Sequence, residues 1–154
     1  MIFVTVGTHH QPFGRLLDGL GALPGESLVV QHGCGPAPPA VAYAVAFMPF
    51  DEMLRYFESC ELVITHAGVG SIVAATRAGH VPIVVPRLKR FGEHVDDHQE
   101  QLTRALVASG KVVPVWDIRL LAEAAASAPP RRPVAEDGGG ARLAAAVRAA
   151  FTAA

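Results

Sequence analysis

Three stretches of this chain carry residue types that hold anions and read hydroxyl groups. The most telling is His66-Ala67-Gly68-Val69-Gly70-Ser71. Gly68 and Gly70 expose backbone amides where a helix is expected to begin, and Ser71 adds a hydroxyl to its first turn. With the helix dipole, such a turn cradles a diphosphate. It lacks the lysine of a P-loop, which disfavours triphosphate hydrolysis. It is no nucleophile elbow either, because the serine follows the second glycine instead of sitting between the two. A plain glycine turn closing strand against helix is the simpler reading, but it leaves His66 and Ser71 unexplained.

The second stretch, Arg87-Leu88-Lys89-Arg90-Phe91-Gly92-Glu93-His94-Val95-Asp96-Asp97-His98-Gln99, is unusually polar. It offers cations for phosphates, and carboxylates, histidines and an amide for sugar hydroxyls. Its two histidines and three carboxylates show no H-E-x-x-H spacing, so a metal set is not expected. A solvated loop capped by Asp96 or Asp97 accounts for one aspartate, not for the cluster. The third stretch is Gly7-Thr8-His9-His10. A glycine there lets backbone N–H groups approach an anion, although the G-x-G-x-x-G fingerprint is absent and an ordinary tight turn competes. His9 and His10 are adjacent, point differently and have no carboxylate to complete a metal set.

Groups so scattered need a scaffold that brings them to one edge. Residues 2–6 are β-rich and end at Gly7-Thr8. Phe13, Leu16, Leu17 and Leu20 predict a helix over 12–22. Strands are expected at 27–31, 41–47, 62–65, 82–85 and 111–115, and a proline-rich loop at 36–40. The run 62–65 is apolar throughout, as in a strand buried on both faces. Helices are expected from Asp51, from the glycine turn to about Ala78 with Gly79 as C-cap, over about 97–109, and over 117–126. Strand-helix repetition with short connections implies an α/β fold, a Rossmann-like doubly wound parallel sheet. In such sheets ligands bind outside the carboxyl ends of the strands, where all three stretches fall. Residues 1–127 are expected to form this domain, 128–140 a linker and 141–154 an alanine-rich C-terminal helix.

Bulk composition narrows the class. The 154 residues suit one domain, 51% are hydrophobic and 18% charged, and the net charge of -1 offers no basic footprint for a nucleic acid. Cys34 and Cys60 form no metal spacing and no disulfide framework, so reduced thiols in a cytoplasmic protein are expected. Met1 runs directly into the first strand, which reads as no signal peptide. No apolar run approaches the roughly 20 residues of a membrane span.

Taken together, His66 through Ile72, Pro82 through Arg87, Phe91 through His94 and Asp97 through Gln99 resemble the glycosyltransferase family 28 C-terminal domain. The resemblance covers about residues 1–115, including Thr5-Val6-Gly7-Thr8 and Gln31-His32-Gly33. It is strongest to small stand-alone versions: small subunits of bacterial capsule and exopolysaccharide glycosyltransferases, and the catalytic subunit of the eukaryotic dolichol-linked N-acetylglucosaminyltransferase.

That resemblance implies a GT-B C-terminal half-domain binding a UDP-sugar, the donor substrate, with no further cofactor and no metal. Gly7 and Thr8 would lie near the diphosphate, and Gly68, Gly70 and Ser71 would contact the phosphates with His66 beside them. Phe47 and Met48 match the position where the related peptidoglycan enzyme holds uracil. Arg87, Asp97, His98 and Gln99 would complete the donor site, His98 and Gln99 reading sugar hydroxyls. Glu93 and His94 are the candidates for catalytic groups on this chain, with His9 and His10 behind them, although a partner supplying the base is favoured. One departure is Ala74, where two-domain relatives carry an acidic residue for the ribose diol: Glu93 or another group replaces it, or ribose is held less tightly.

The implied reaction is inverting transfer of a hexose-type sugar to a lipid-linked or polysaccharide acceptor. A GT-B enzyme needs two such domains, so a separate, membrane-associated acceptor-binding subunit is expected, holding this chain at the inner face of the membrane. The terminal helix is a candidate docking element, and a homodimer is conceivable without the partner. A non-hydrolysing sugar-nucleotide epimerase shares the architecture but needs both domains in one chain. A non-catalytic nucleotide-sugar-binding regulatory or scaffold subunit is the other reading, and Ala74 favours it.

Overall fold

The computed structural model describes residues 1–134 together with Ala145, Arg148 and Ala149. Most of the expected 141–154 helix, and 135–140 of the expected linker, lie outside the described residues. Six strands, β1 (Ile2–Thr5), β2 (Leu28–Gln31), β3 (Tyr43–Val45), β4 (Leu62–His66), β5 (Ile83–Val85) and β6 (Val113–Pro114), form one sheet. Its order is β3-β2-β1-β4-β5-β6 and every pair is parallel. Among residues 1–134, five α-helices connect or follow them: α1 (Gly14–Gly19), α2 (Phe50–Ser59), α3 (Val69–Arg77), α4 (His98–Ala108) and α5 (Leu121–Ala126). This is a doubly wound, Rossmann-like α/β fold.

Alternation along the buried strands assigns the faces. Val4, Val30, Ile64, Ile83 and Val85 pack with Leu16 and Leu17 of α1 and Leu121 of α5. Their neighbours Phe3, Val29 and Val63 pack oppositely, with Met53 and Phe57 of α2 and Ala74 and Ala75 of α3. Val84 extends that second face against Leu102 and Leu106 of α4.

Several elements are shorter than their sequence patterns. Helix α1 stops at Gly19, a 3-10 turn carries the chain on through Leu20–Ala22, and two glycines in so short a run weaken the helix. Strand β3 is confined to Tyr43–Val45, because Ala40 sits at φ 56 and Ala42 bonds back to Gly25. Strand β6 ends in Pro114, tolerated because β6 is an edge. Gly79 does cap α3, at φ +90, with its N–H on Thr76.

Residues 128–134 fold back onto the domain. The Arg131 Nε–H donates to the carbonyl of Ala78 at 2.7 Å, and its Nη1 donates to the carbonyl of Glu58. Arg132 N–H bonds the carbonyl of Gly79 at 2.9 Å.

Phe57 is fully buried and meets Phe3 edge-on at 5.2 Å between centroids. Phe57→Ala is expected to cost about 3–5 kcal/mol in urea unfolding, and a loss below about 1 kcal/mol would contradict this packing.

Candidate functional site

The chain winds outward from β1 to β3, then crosses back to β4 and winds outward again. The crevice where the direction reverses lies between the carboxyl ends of β1 and β4, the place where ligands bind in this topology. Two glycine turns meet there. Gly7, at φ +78, follows β1, and Gly68 is the N-cap of α3. The His66 imidazole sits between them, and a Cβ on either glycine would collide with it. Gly68 provides no side-chain cap, so the first amides of α3 have no side-chain acceptor at that end. Thr8 and Gly70 are exposed and Ser71 half-buried, on the open side of the same crevice.

His66 is neutral there. Burial first and the Arg87 guanidinium second bring its pKa down to about 4, opposed by a bond from the ring to the Thr5 backbone; His94 and His9 also lower it. Beneath the crevice, Gln31 is 1% exposed. Its Oε1 accepts from Thr5 Oγ1 at 2.6 Å, and its Nε2 donates to the carbonyls of Gly7 at 3.1 Å and Ala46 at 2.6 Å. Gln31 thus ties the ends of β1, β2 and β3 together.

The polar stretch from Arg87 to Gln99 divides into braces and exposed groups. Arg87 was expected to meet phosphate; instead it is 1% exposed and turned inward. Its guanidinium donates to the carbonyls of Val6 at 2.9 Å, Gln11 at 2.7 Å and Glu93 at 3.2 Å, and lies 4.7 Å above the Phe13 ring. Glu93, expected as a catalytic group, is buried as well. It is 4% exposed, its oxygens accept from Arg15 Nε at 2.8 Å and Nη2 at 2.9 Å, and Oε2 also takes the Leu88 N–H at 2.9 Å. Gln99 Oε1 accepts the N–H groups of Ala67 at 3.2 Å and Arg87 at 3.0 Å, joining the ends of β4 and β5. Only its amide NH2 remains for a hydroxyl. Asp97 is exposed and makes no capping bond; Asp96 caps α4 instead, through the His98 N–H at 3.1 Å.

Histidines line the mouth. His9 stacks on His94, with centroids 4.5 Å apart and planes at 20°, and tilts against His10 at 4.5 Å. Asp96 bonds both His94 and His98. Among the described residues, no group of three or more His, Cys, Asp or Glu is placed to hold a metal ion. From the crevice a groove of about 520 Å³ runs between α2 and α3, walled by Phe50, Leu54, Phe57, Gly70, Val73 and Ala74. Phe47 is 49% exposed between β3 and α2, and Met48 packs against the core beside it. Ala74, 6% exposed, is part of the apolar wall.

The model of the glycosyltransferase family 28 C-terminal domain matches residues 1–124. The chain belongs to this family. Comparisons with curated proteins and with solved structures gave no match. Membership makes this chain a nucleotide-sugar-binding domain of glycosyltransferase type. No helix among the described residues is long and apolar enough to cross a membrane.

The fold of this family 28 domain sets His66 between Gly7 and Gly68 and stacks His94 on His9. It buries Arg87 and Glu93 and leaves Asp97 and His98 exposed. Sequence reading overlooked Gln31 and Arg15, single polar residues in apolar runs. It also overlooked Asp96 as the shared partner of two histidines.

The buried His66 makes a pH prediction. Its ordinary pKa is 6.5 and its folded value about 4. Between those values the unfolded chain binds the extra proton. The stability is therefore complete above the ordinary value and is lost as pH falls through the window. Acidification from about pH 7 to about pH 5 should remove about 2 kcal/mol through this group. His80, also pushed down first by burial, acts with the same sign. Urea unfolding of wild type and His66→Asn over that range should give a shallower slope in the variant. Equal slopes would place the titration elsewhere.

Proposed function

We propose that this domain is the donor-binding, catalytic subunit of an inverting hexosyltransferase, with a UDP-sugar as donor. The observation that carries the reading is the pair of glycine turns at the switch point. Gly68 gives α3 no side-chain cap and the space beside Gly70 is open, and amides at a helix N-terminus favour a diphosphate. Neutral His66 holds the turns apart without adding charge. Gly7, Thr8, Gly68, Gly70 and Ser71 would take the phosphates. Phe47, Met48 and the groove past Ala74 would take the nucleoside, and His98 with the Gln99 amide the sugar.

In the reaction the acceptor hydroxyl attacks the anomeric carbon. The bond from that carbon to the phosphate oxygen breaks, and UDP leaves with the electron pair. Helix amides stabilise the departing diphosphate. The hydroxyl proton goes to a base. On this chain His94 suits that role better than Glu93, whose oxygens are engaged; a partner residue is the other source. The acceptor, lipid-linked or polysaccharide, would be held by a separate membrane-associated subunit at the inner face of the membrane. Ala74 supports a second reading, a non-catalytic subunit that binds nucleotide sugar to regulate or scaffold, because no acid stands there to grip the ribose diol.

Thermal unfolding with UDP, UDP-glucose, UDP-N-acetylglucosamine, UDP-glucuronate and GDP-mannose tests the site. A uridine ligand at about 100 times its Kd should add about 2.7 kcal/mol, a rise of roughly 5–10 °C for a domain of this size. Gly68→Ala, which drives a methyl group into His66, should lose that rise. No shift with any of the five would overturn the donor site. A shift without sugar transfer, once the acceptor-binding subunit is added, would favour the regulatory reading.

A further inference from the structure

We propose that Asp96 is a positioning residue that sets the tautomer of two histidines at once, so that His94 and His98 work as a pair across the mouth of the crevice. The proposal rests on the donor-site reading and adds the group that couples two of its side chains.

Asp96 Oδ1 lies 2.9 Å from His94 Nδ1, and Oδ2 lies 2.9 Å from His98 Nδ1. Oδ1 also accepts the His98 backbone N–H at 3.1 Å. Desolvation pushes this carboxyl up, but the His98 N–H and the two imidazoles outweigh it and hold the carboxyl below its ordinary range. Asp96 is therefore ionised at neutral pH, and an ionised carboxylate only accepts hydrogen bonds. Each Nδ1 facing it must carry the hydrogen. One contact argues otherwise: the Asp96 N–H approaches His94 Nδ1 at 3.4 Å, which would need a lone pair there. A charge-assisted bond at 2.9 Å is far stronger than a neutral one at 3.4 Å, so the carboxylate decides.

The consequence is chemical. A neutral imidazole with its hydrogen on Nδ1 carries its lone pair on Nε2, the reverse of the form favoured in water. For His94 this makes Nε2 the proton acceptor. Its ring is fixed twice over, by Asp96 and by stacking on His9, which is itself bonded to Gln11 Oε1 at 2.7 Å. His94 is close enough to bear on His66 electrostatically, which sets it beside the glycine turns. For His98, the first residue of α4, the same carboxylate orients the ring and the helix start together. Its Nε2 would then accept a hydrogen bond from a sugar hydroxyl. Asp96 itself would touch neither sugar nor acceptor.

Imidazole tautomers are read directly by long-range hydrogen–nitrogen NMR of the full chain, labelled with nitrogen-15, at about pH 8.5, where ordinary histidines are neutral. Wild type should show the Nδ1–H pattern at both His94 and His98. Asp96→Asn, nearly isosteric, has one acceptor oxygen and should leave that pattern at one of them at most. Asp96→Ala should leave it at neither. The Nε2–H form at both positions in wild type, or Nδ1–H persisting in Asp96→Ala, would overturn the proposal.

Calorimetry supplies the functional half. Asp96→Asn and His98→Ala should each weaken binding of UDP-glucose or UDP-N-acetylglucosamine by about fivefold, the worth of about one hydrogen bond. UDP alone should bind both variants as it binds wild type, and the double variant should be no weaker than either single one. Full affinity for the UDP-sugar in Asp96→Asn, with His98→Ala weakened, would remove His98 from the pair. If wild type binds no uridine ligand, the donor reading fails by itself, while the tautomer measurement still decides the role of Asp96.

Discussion

A guanidinium shut away from water organises the working end of this sheet. Arg87 spends its charge on three backbone carbonyls, one after β1, one in the following loop and one in the loop after β5. Burying a cation is costly unless hydrogen bonds replace its water. The cost is visible in its acidity: desolvation brings Arg87 down to about 10, against an opposing pull from Glu93. It remains charged at neutral pH and is held through Nη1 and Nη2, while its buried Nε has no partner. Its backbone N–H is held too, by Gln99, whose carbonyl oxygen also takes Ala67 N–H at the end of β4. Two side chains thereby lock the carboxyl ends of three adjacent strands.

The open crevice follows from that lock. With the loops after β1 and β5 tied to one cation, the Gly7 turn cannot drift away from the turn at Gly68. His66 fills the gap between them, and it is neutral first because burial disfavours its charged form and then because Arg87 lies near. The electrostatic result favours an anion. Arg87 contributes a fixed positive charge from behind the turns, the helix amides contribute partial charges from in front, and His66 contributes shape. Such preorganised groups need little rearrangement when charge arrives, which makes them more effective than mobile surface lysines.

Legibility from sequence tracks this division of labour. The strands were readable because runs such as Leu62 through Thr65 suit burial on both faces, and strand-helix repetition implied that they run parallel. Gly68 was readable because a side chain there would strike His66, whereas Gly70 has open space around it. The roles of Arg87 and Glu93 were not. Both are polar residues in a polar loop, and nothing local distinguishes one that faces solvent from one that faces carbonyls. The partners that decide lie far along the chain: Val6 and Gln11 for Arg87, Arg15 for Glu93. Asp96 was hidden for the opposite reason. Its partners lie two residues away on either side, so it read as a helix cap, which it also is.

The same logic bears on Ala74. A carboxylate near the crevice serves a ligand only through lone pairs that are unspent, and Glu93, the acid offered for the missing ribose contact, gives three of roughly four to Arg15 and Leu88. The groove beside Ala74 is walled mainly by Phe50, Leu54 and Phe57, with Glu58 and Arg77 also on its lining. Apolar walls discriminate weakly between ligands that differ by one hydroxyl. On the donor reading, selectivity must therefore come from the sugar end, where the His94, Asp96 and His98 network meets hydroxyl groups, more than from the nucleoside end.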